Sequence, residues 1–269
     1  MGFFVYRLPH IVGQIFVDLR VPSRIIPLLL FLSFINAQMA LPTFQAVHKP
    51  HTPATPPNVL IIWDNSSSNS NTLSLKSALE NEGFTVSLSS TNESSYNGTN
   101  PALSSYDAVI HLNGVATYNS DMPSGGQNAL VDFVNTQGGL YIHTEWNVWA
   151  VSQRGHYSNM TELILFNYSG YGQGANTYTE VNAQSGHQIL SDIPSSFSVS
   201  CGYNKGTAKT FESNPVTVLM TDSGSDGIVI REYGNGKIMG MSHAGNWNYP
   251  TLSNTNIQQL YINAINWAN

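Results

Sequence analysis

Four ionisable residues are spaced so that a folded sheet could bring them together. They are Asp64 in IIWDN, His143 and Glu145 in GGLYIHTEW, and His243 in MGMSHAGN. Each follows a short apolar run of the kind that forms a buried strand. Open α/β sheets bind their ligands beyond the carboxyl ends of such strands, so residues at those ends are candidates for one site. His143, Glu145 and His243 could act there as a general acid–base set. The same nitrogen and oxygen donors could hold a metal, but no HxH or HExxH spacing supports one, and none is assigned. A histidine at a strand end is more often a hydrogen-bonded structural residue than a catalyst, so the competing reading is plain architecture. Asn113, Trp146, Asn246 and Trp247 stand at the same strand ends and complete the candidate ligand-binding set with Asp64. Trp63, Trp149 and Tyr249 fall nearby. Aromatic faces beside Asn and Asp suit the C–H faces and hydroxyls of a carbohydrate. The stretch DNSSSN after the first strand lacks the G-x-G-x-x-G pattern of a dinucleotide cradle, so no cofactor is expected.

The elements that must carry these residues read as an α/β chain. NVLIIW (58–63) has the β-branched, doubly apolar character of a central strand. TLSLKSALENEGF follows at helical spacing, with Leu73, Leu75, Ala78 and Leu79 as its apolar positions and Gly83 as its stop. FTVSLSS (84–90) and YDAVIHL (106–112) are the second and third strands. Residues 122–139 form another helix, with Ala129, Leu130, Phe133 and Val134 on one face. LYIHTEW then makes the fourth strand. This alternation predicts βαβ crossovers and a mainly parallel sheet. Later runs are closely spaced: TYTEV (177–181), PVTVLM (215–220), GIVIRE (227–232) and KIMGMSH (237–243). YGNGK between the last two is a hairpin turn, so an antiparallel C-terminal edge is expected. Residues 254–268 form a final amphipathic helix, with Ile257, Leu260, Tyr261, Ala264, Ile265 and Trp267 inward.

Taken in order, NVLIIWD, YDAVIHLNG, GGLYIHTEW, GHQILSDIP, GNGKIMGMSHAGN and INAINWAN resemble the class I glutamine amidotransferase-like superfamily. The nearest branch is the trehalose-utilisation, or ThuA-like, group, and the likeness spans residues 58–269. The resemblance implies a flavodoxin-like three-layer sandwich. It also implies a nucleophilic cysteine at the tip of the fourth strand, and a late histidine followed two residues on by a glutamate. Here His143 or Thr144 stands at the elbow, Gly245 replaces the acid, and only His243 matches. Imidazole without an orienting partner does not replace a thiolate in acyl transfer, so glutaminase activity is not expected. The ThuA-like branch places histidines at the ends of the fourth and late strands, which implies a site with His143 and His243.

Bulk properties bound the rest. Hydrophobic residues make up 41% of the 269, enough for a sizeable core, whereas charged residues are only 10%, against roughly 25% in ordinary soluble proteins. A net charge of −6 argues against a nucleic-acid partner. Arg20 and Arg24 precede the eleven-residue apolar run IIPLLLFLSFI and a small residue, Ala37, which reads as a signal peptide over residues 1–37. The run is short of the ~20 residues that span a bilayer; an uncleaved N-terminal anchor is the alternative. Cleavage would remove Arg7, Arg20, Arg24 and Asp18, taking the net charge from −6 to −8. A proline-rich linker occupies 38–57 and the folded domain 58–269. Asn65, Asn92, Asn97, Asn159 and Asn167 begin N-x-S/T sequons, glycan sites if the chain is secreted and chance matches if not. Cys201 is the sole cysteine, so no intrachain disulfide forms. Two functions remain in view. One is a secreted, non-glutaminase module that binds a carbohydrate or related small ligand. The other is a secreted ThuA-like enzyme acting on a sugar derivative through His143, Glu145 and His243. Oligomeric state is not readable.

Overall fold

Apolar runs with no polar interruption need cover on both faces, and the structure supplies it with helices above and below one sheet. The computed structural model describes residues 55–64, 69–246 and 249–269. The expected signal peptide, nearly all of the linker, the Asn65 sequon and Trp247 lie outside them. The strands are β1 (Asn58–Trp63), β2 (Thr85–Leu88), β3 (Ala108–Leu112), β4 (Leu140–His143), β5 (Tyr171–Glu180), β6 (Ser196–Asn204), β7 (Thr217–Asp222), β8 (Ser225–Tyr233), β9 (Gly236–Met241) and β10 (His243–Ala244). The α-helices are α1 (Ser70–Asn81), α2 (Ser124–Asn135), α3 (Glu145–Arg154) and α4 (Thr255–Ala268).

All ten strands join one sheet in the order β10-β6-β5-β7-β8-β9-β4-β3-β1-β2. β2, β1, β3, β4 and β9 pair in parallel with one another. From β8 to β10 every pairing is antiparallel. The sheet is therefore mixed, and the expectation of a mainly parallel sheet with an antiparallel margin is corrected. The reason is the length of the C-terminal half. β5 and β6 pair over nine registers, Tyr171 with Asn204 through Thr179 with Ser196, and this long ribbon outweighs a simple rim. The hairpin strand β9 enters mid-sheet, between β4 and β8.

Side-chain alternation divides the core in two. Val59, Ile61, Ile110 and Ile142 face α1 and α4, where Leu75, Leu79, Ile257, Leu260 and Tyr261 cover them. Leu60, Ile62, Val109 and Tyr141 face the other way, against Leu130, Phe133 and Val134 of α2 and Val148 and Ala150 of α3. Leu73 turns to solvent, 42% exposed, because the inward stripe of α1 is Leu75 and Leu79. Helix starts are fixed by side chains. The Asn69 Oδ1 accepts the backbone N–H groups of Asn71 and Thr72 at 3.1 and 3.3 Å. Asn254 does the same for α4 at 3.0 and 3.2 Å. Helix α3 follows β4 with only Thr144 between them, and Gly155 closes it at φ 68°. This abrupt junction sets the position of Glu145.

Candidate functional site

His143 ends β4 on the face of Tyr141, and it is wholly buried. Its Nε2 accepts the Leu165 backbone N–H at 3.0 Å. Phe166 meets the ring edge-on at a centroid distance of 5.8 Å, and Tyr141 stacks at 6.3 Å. Burial pushes its pKa down to about 3, with the Thr144 backbone opposing that shift. The ring is thus neutral at physiological pH, with Nε2 as acceptor.

His243 is placed elsewhere. After Met241 the chain leaves the β9 ladder, and His243 pairs with Tyr203 of β6. Its ring packs 6.1 Å from Tyr261 of α4, with Nε2 3.5 Å from the Tyr261 hydroxyl. Tyr261 belongs to the core on the α1/α4 face, whereas Tyr141 and Phe166 belong to the opposite one. The two imidazoles therefore lie on opposite sides of the sheet and do not converge. Burial pushes the His243 pKa down to about 3 as well. The expected acid–base set of His143, Glu145 and His243 is not assembled, because the chain passes over to β6 at Ser242, whose carbonyl accepts the Asn204 backbone N–H at 2.9 Å.

Asp64, Asn113 and Asn246 do gather, beyond the ends of β1 and β3. A Cβ placed on Gly114 would lie 2.6 Å from Asp64 Oδ2 and 2.7 Å from the Asn246 Cβ. The Asn113 Oδ1 accepts from the Gly114 N–H and the Thr117 hydroxyl, at 2.7 and 2.8 Å. Its amide donates to the Tyr157 hydroxyl at 2.8 Å. The Asn246 Oδ1 accepts from the Thr72 hydroxyl at 2.9 Å. These bonds tie loops together, so both asparagines serve as struts. Trp63 closes the core and donates its indole N–H to the Ser89 carbonyl.

Glu145 opens onto space. It is the first residue of α3 and 1% exposed, and neither carboxyl oxygen has a hydrogen-bond partner among the described residues. It lines a cavity of about 380 Å³ with Val115, Tyr118, Trp146, Trp149 and Tyr171. Trp146 and Trp149 meet edge-on at 5.9 Å, and Tyr118 lies 5.4 Å from each. Burial pushes the Glu145 pKa from 4.5 to about 8, so the carboxyl is largely protonated at neutral pH. The helix N-terminus would favour the charged form, yet the carboxyl accepts none of its N–H groups, and burial dominates. Asn147 turns back to accept the Thr144 N–H at 3.0 Å, holding the junction rigid.

Of the residues expected from sequence, Glu145, Trp146 and Trp149 line this cavity. Tyr118, Val115 and Tyr171 were not anticipated. Tyr171 arrives on β5, whose start, YGQGAN, carries no apolar run. A second buried network also escaped notice. Glu93 is fully buried, accepts the Tyr157 hydroxyl, and lies 3.4 Å from His111 Nε2. The His111 Nδ1 is 2.7 Å from the Tyr141 hydroxyl. No group of three or more His, Cys, Asp or Glu side chains among the described residues is placed to hold a metal. No described helix is long and apolar enough to cross a membrane.

The architecture has close counterparts among solved structures. A ThuA-like protein from Parabacteroides merdae superposes with a TM-score of 0.58 at 18% identity, over 80% of this chain and 90% of that one. The chain has the ThuA-like fold. A second ThuA-like protein, from Bacteroides uniformis, aligns with a TM-score of 0.55 at 15% identity, over 81% and 94% of the two chains. A cytoplasmic protein of Salmonella typhimurium LT2 aligns at 0.59 and 16% identity, over 78% and 98%. At these identities the ThuA-like likeness is one of fold. No family model matches the sequence, and no curated protein matches it significantly.

Proposed function

We propose that this chain is a secreted small-molecule-binding domain on a ThuA-like, amidotransferase-like fold, without glutaminase activity. Its ligand is a carbohydrate or related small molecule. One observation carries the reading: the Glu145 carboxyl, buried and without a hydrogen-bond partner among the described residues, at an aromatic-walled cavity beyond the ends of β3 and β4. Ligand pockets of this type combine apolar walls with few polar groups, and lie where open sheets present their carboxyl ends. The absence of glutaminase chemistry is supported by the residues at the β4 tip, His143 and Thr144, which offer no thiol. Cys201 sits buried in β6, and burial pushes its thiol up to about 12.

The second reading, an enzyme acting on a sugar derivative, is favoured by one fact. A carboxyl with a pKa near 8 holds a proton it can donate at neutral pH. Glu145 would be its acid, and neither His143 nor His243 lines the cavity with it. Tryptophan fluorescence with a panel of mono- and disaccharides and their derivatives tests the site, with product analysis on every hit. A saturable signal lost in Trp149→Ala, with no product, supports the binding domain. Product formation abolished in Glu145→Gln supports the enzyme. Binding unaffected by either change would refute this location.

A further inference from the structure

The cavity walls are mostly aromatic, and beside the Glu145 carboxyl only Tyr118 and Tyr171 bring hydroxyl groups to it. Glu145 carries the one carboxyl on its described walls, and three of the others, Tyr118, Trp146 and Trp149, are aromatic rings in mutual contact. Each hydroxyl buried there without a partner would cost about 1–3 kcal/mol. An organic ammonium has the opposite needs. It is held by the negative faces of aromatic rings and by one counter-charge. This cluster already attracts a cation from the protein itself: the Arg154 guanidinium lies 5.0 Å from the Trp149 ring centroid. Arg154 also donates to Asn119 and does not line the cavity, so it leaves Glu145 unmatched.

Resting on the reading of this cavity as the ligand site, we propose that the group seated against Glu145 is an organic ammonium, as on an amino sugar or a quaternary amine. The rings of Tyr118, Trp146 and Trp149 surround its alkyl groups, and the Glu145 carboxylate supplies the charge. Val115, 50% exposed at the cavity wall, covers the apolar remainder. The proton balance is specific. Before binding, the carboxyl holds its proton; the arriving cation pairs with the carboxylate, and that proton leaves to solvent. A neutral sugar, hydrogen-bonded to the intact acid, releases none.

Calorimetric titration of the full chain tests this at pH 7, in two buffers of different ionisation enthalpy. The probes are choline against its neutral isostere 3,3-dimethylbutan-1-ol, and glucosamine against glucose. Each cationic probe should bind at least about tenfold more tightly than its neutral partner. With a pKa near 8, about 0.9 proton should be released per choline bound, and less per glucosamine, whose own amine takes up part of it. Glu145→Gln, with folding verified by circular dichroism, should lose both the preference and the proton release. Glucose binding as tightly as glucosamine, with no proton release and with loss in Trp149→Ala, would overturn the ammonium assignment and leave the cavity reading standing. No binding by any probe would overturn both.

Discussion

Replacing Glu145 with glutamine should make the protein more stable in base and leave it unchanged in acid. The carboxyl is 1% exposed, and its pKa rises from 4.5 to about 8. Below pH 4.5 both folded and unfolded chains carry the proton. Between pH 4.5 and 8 the unfolded chain has released it and the folded chain has not. Stability must therefore fall as pH rises through that window, by about 1.36 kcal/mol per pH unit, and level off above it. The whole window is worth roughly 5 kcal/mol, as a ceiling that water entry into the cavity lowers. Tyr168 and Tyr171 are the titratable neighbours that feel Glu145, and both have pKa values raised above the ordinary tyrosine range, Tyr171 to about 12. Neither titrates inside the window. Urea unfolding of wild type and Glu145→Gln at half-unit steps from pH 4 to 9 isolates the effect, because other groups cancel in the difference. The wild type should lose several kcal/mol relative to the variant by pH 8. A difference constant to within about 1 kcal/mol across the series would refute the buried, unpartnered carboxyl.

Other expectations follow from the same structure. His143 and His243 both titrate near pH 3 when folded and near 6.5 when unfolded, so each subtracts stability as pH falls from 6.5 to 3. His243→Gln should flatten the acid limb of the stability profile measured by circular dichroism. Gly240→Ala would put a methyl 2.7 Å from His143 Nε2 and 2.9 Å from the Phe166 ring; a loss of about 1–3 kcal/mol in urea unfolding is expected. Arg231 is 4% exposed, lies 3.5 Å from the Phe211 ring centroid and bonds Glu162 at 3.1 Å. Arg231→Ala should cost about 1–3 kcal/mol, because Glu162 stays half exposed to water and the loss is the packing and the unpaired Asn214 carbonyl. Cys201 should resist a thiol reagent in the native state and react at once in urea, and native reactivity would contradict its burial.

The fold was legible where chemistry repeats at short range. β1 spans Asn58–Trp63, as its apolar run demands, and α4 differs from the expected helix by one residue. The fourth strand stops at His143, three residues short of the expected LYIHTEW, because Glu145 already begins α3. β6 was overlooked although Phe197, Val199 and Cys201 alternate with exposed serines in SFSVSC, a clear period-two signal. Helix α3 was hidden because EWNVWAVSQR follows a strand after a single cap residue and looks like its polar stop. The site was half legible. Glu145 could be placed at a strand tip from local sequence alone. The separation of His143 from His243 depends on β10 crossing to β6, a pairing between residues about forty positions apart that no local pattern encodes. The aromatic partner Tyr171 depends on the same long-range ribbon.

The two strands that flank the ten-stranded sheet are short: β2 has four residues and β10 only two. A long outermost strand would offer a row of unused amides and carbonyls on which another copy could assemble, the first step toward fibres. Here each margin exposes only a few such groups. The extended β5–β6 ribbon is flanked at one end of each strand, by β10 at Gly202 and Tyr203 and by β7 at Tyr178, Thr179 and Glu180. The protein can therefore carry a broad sheet with little surface charge while its two outermost strands offer little to a second copy.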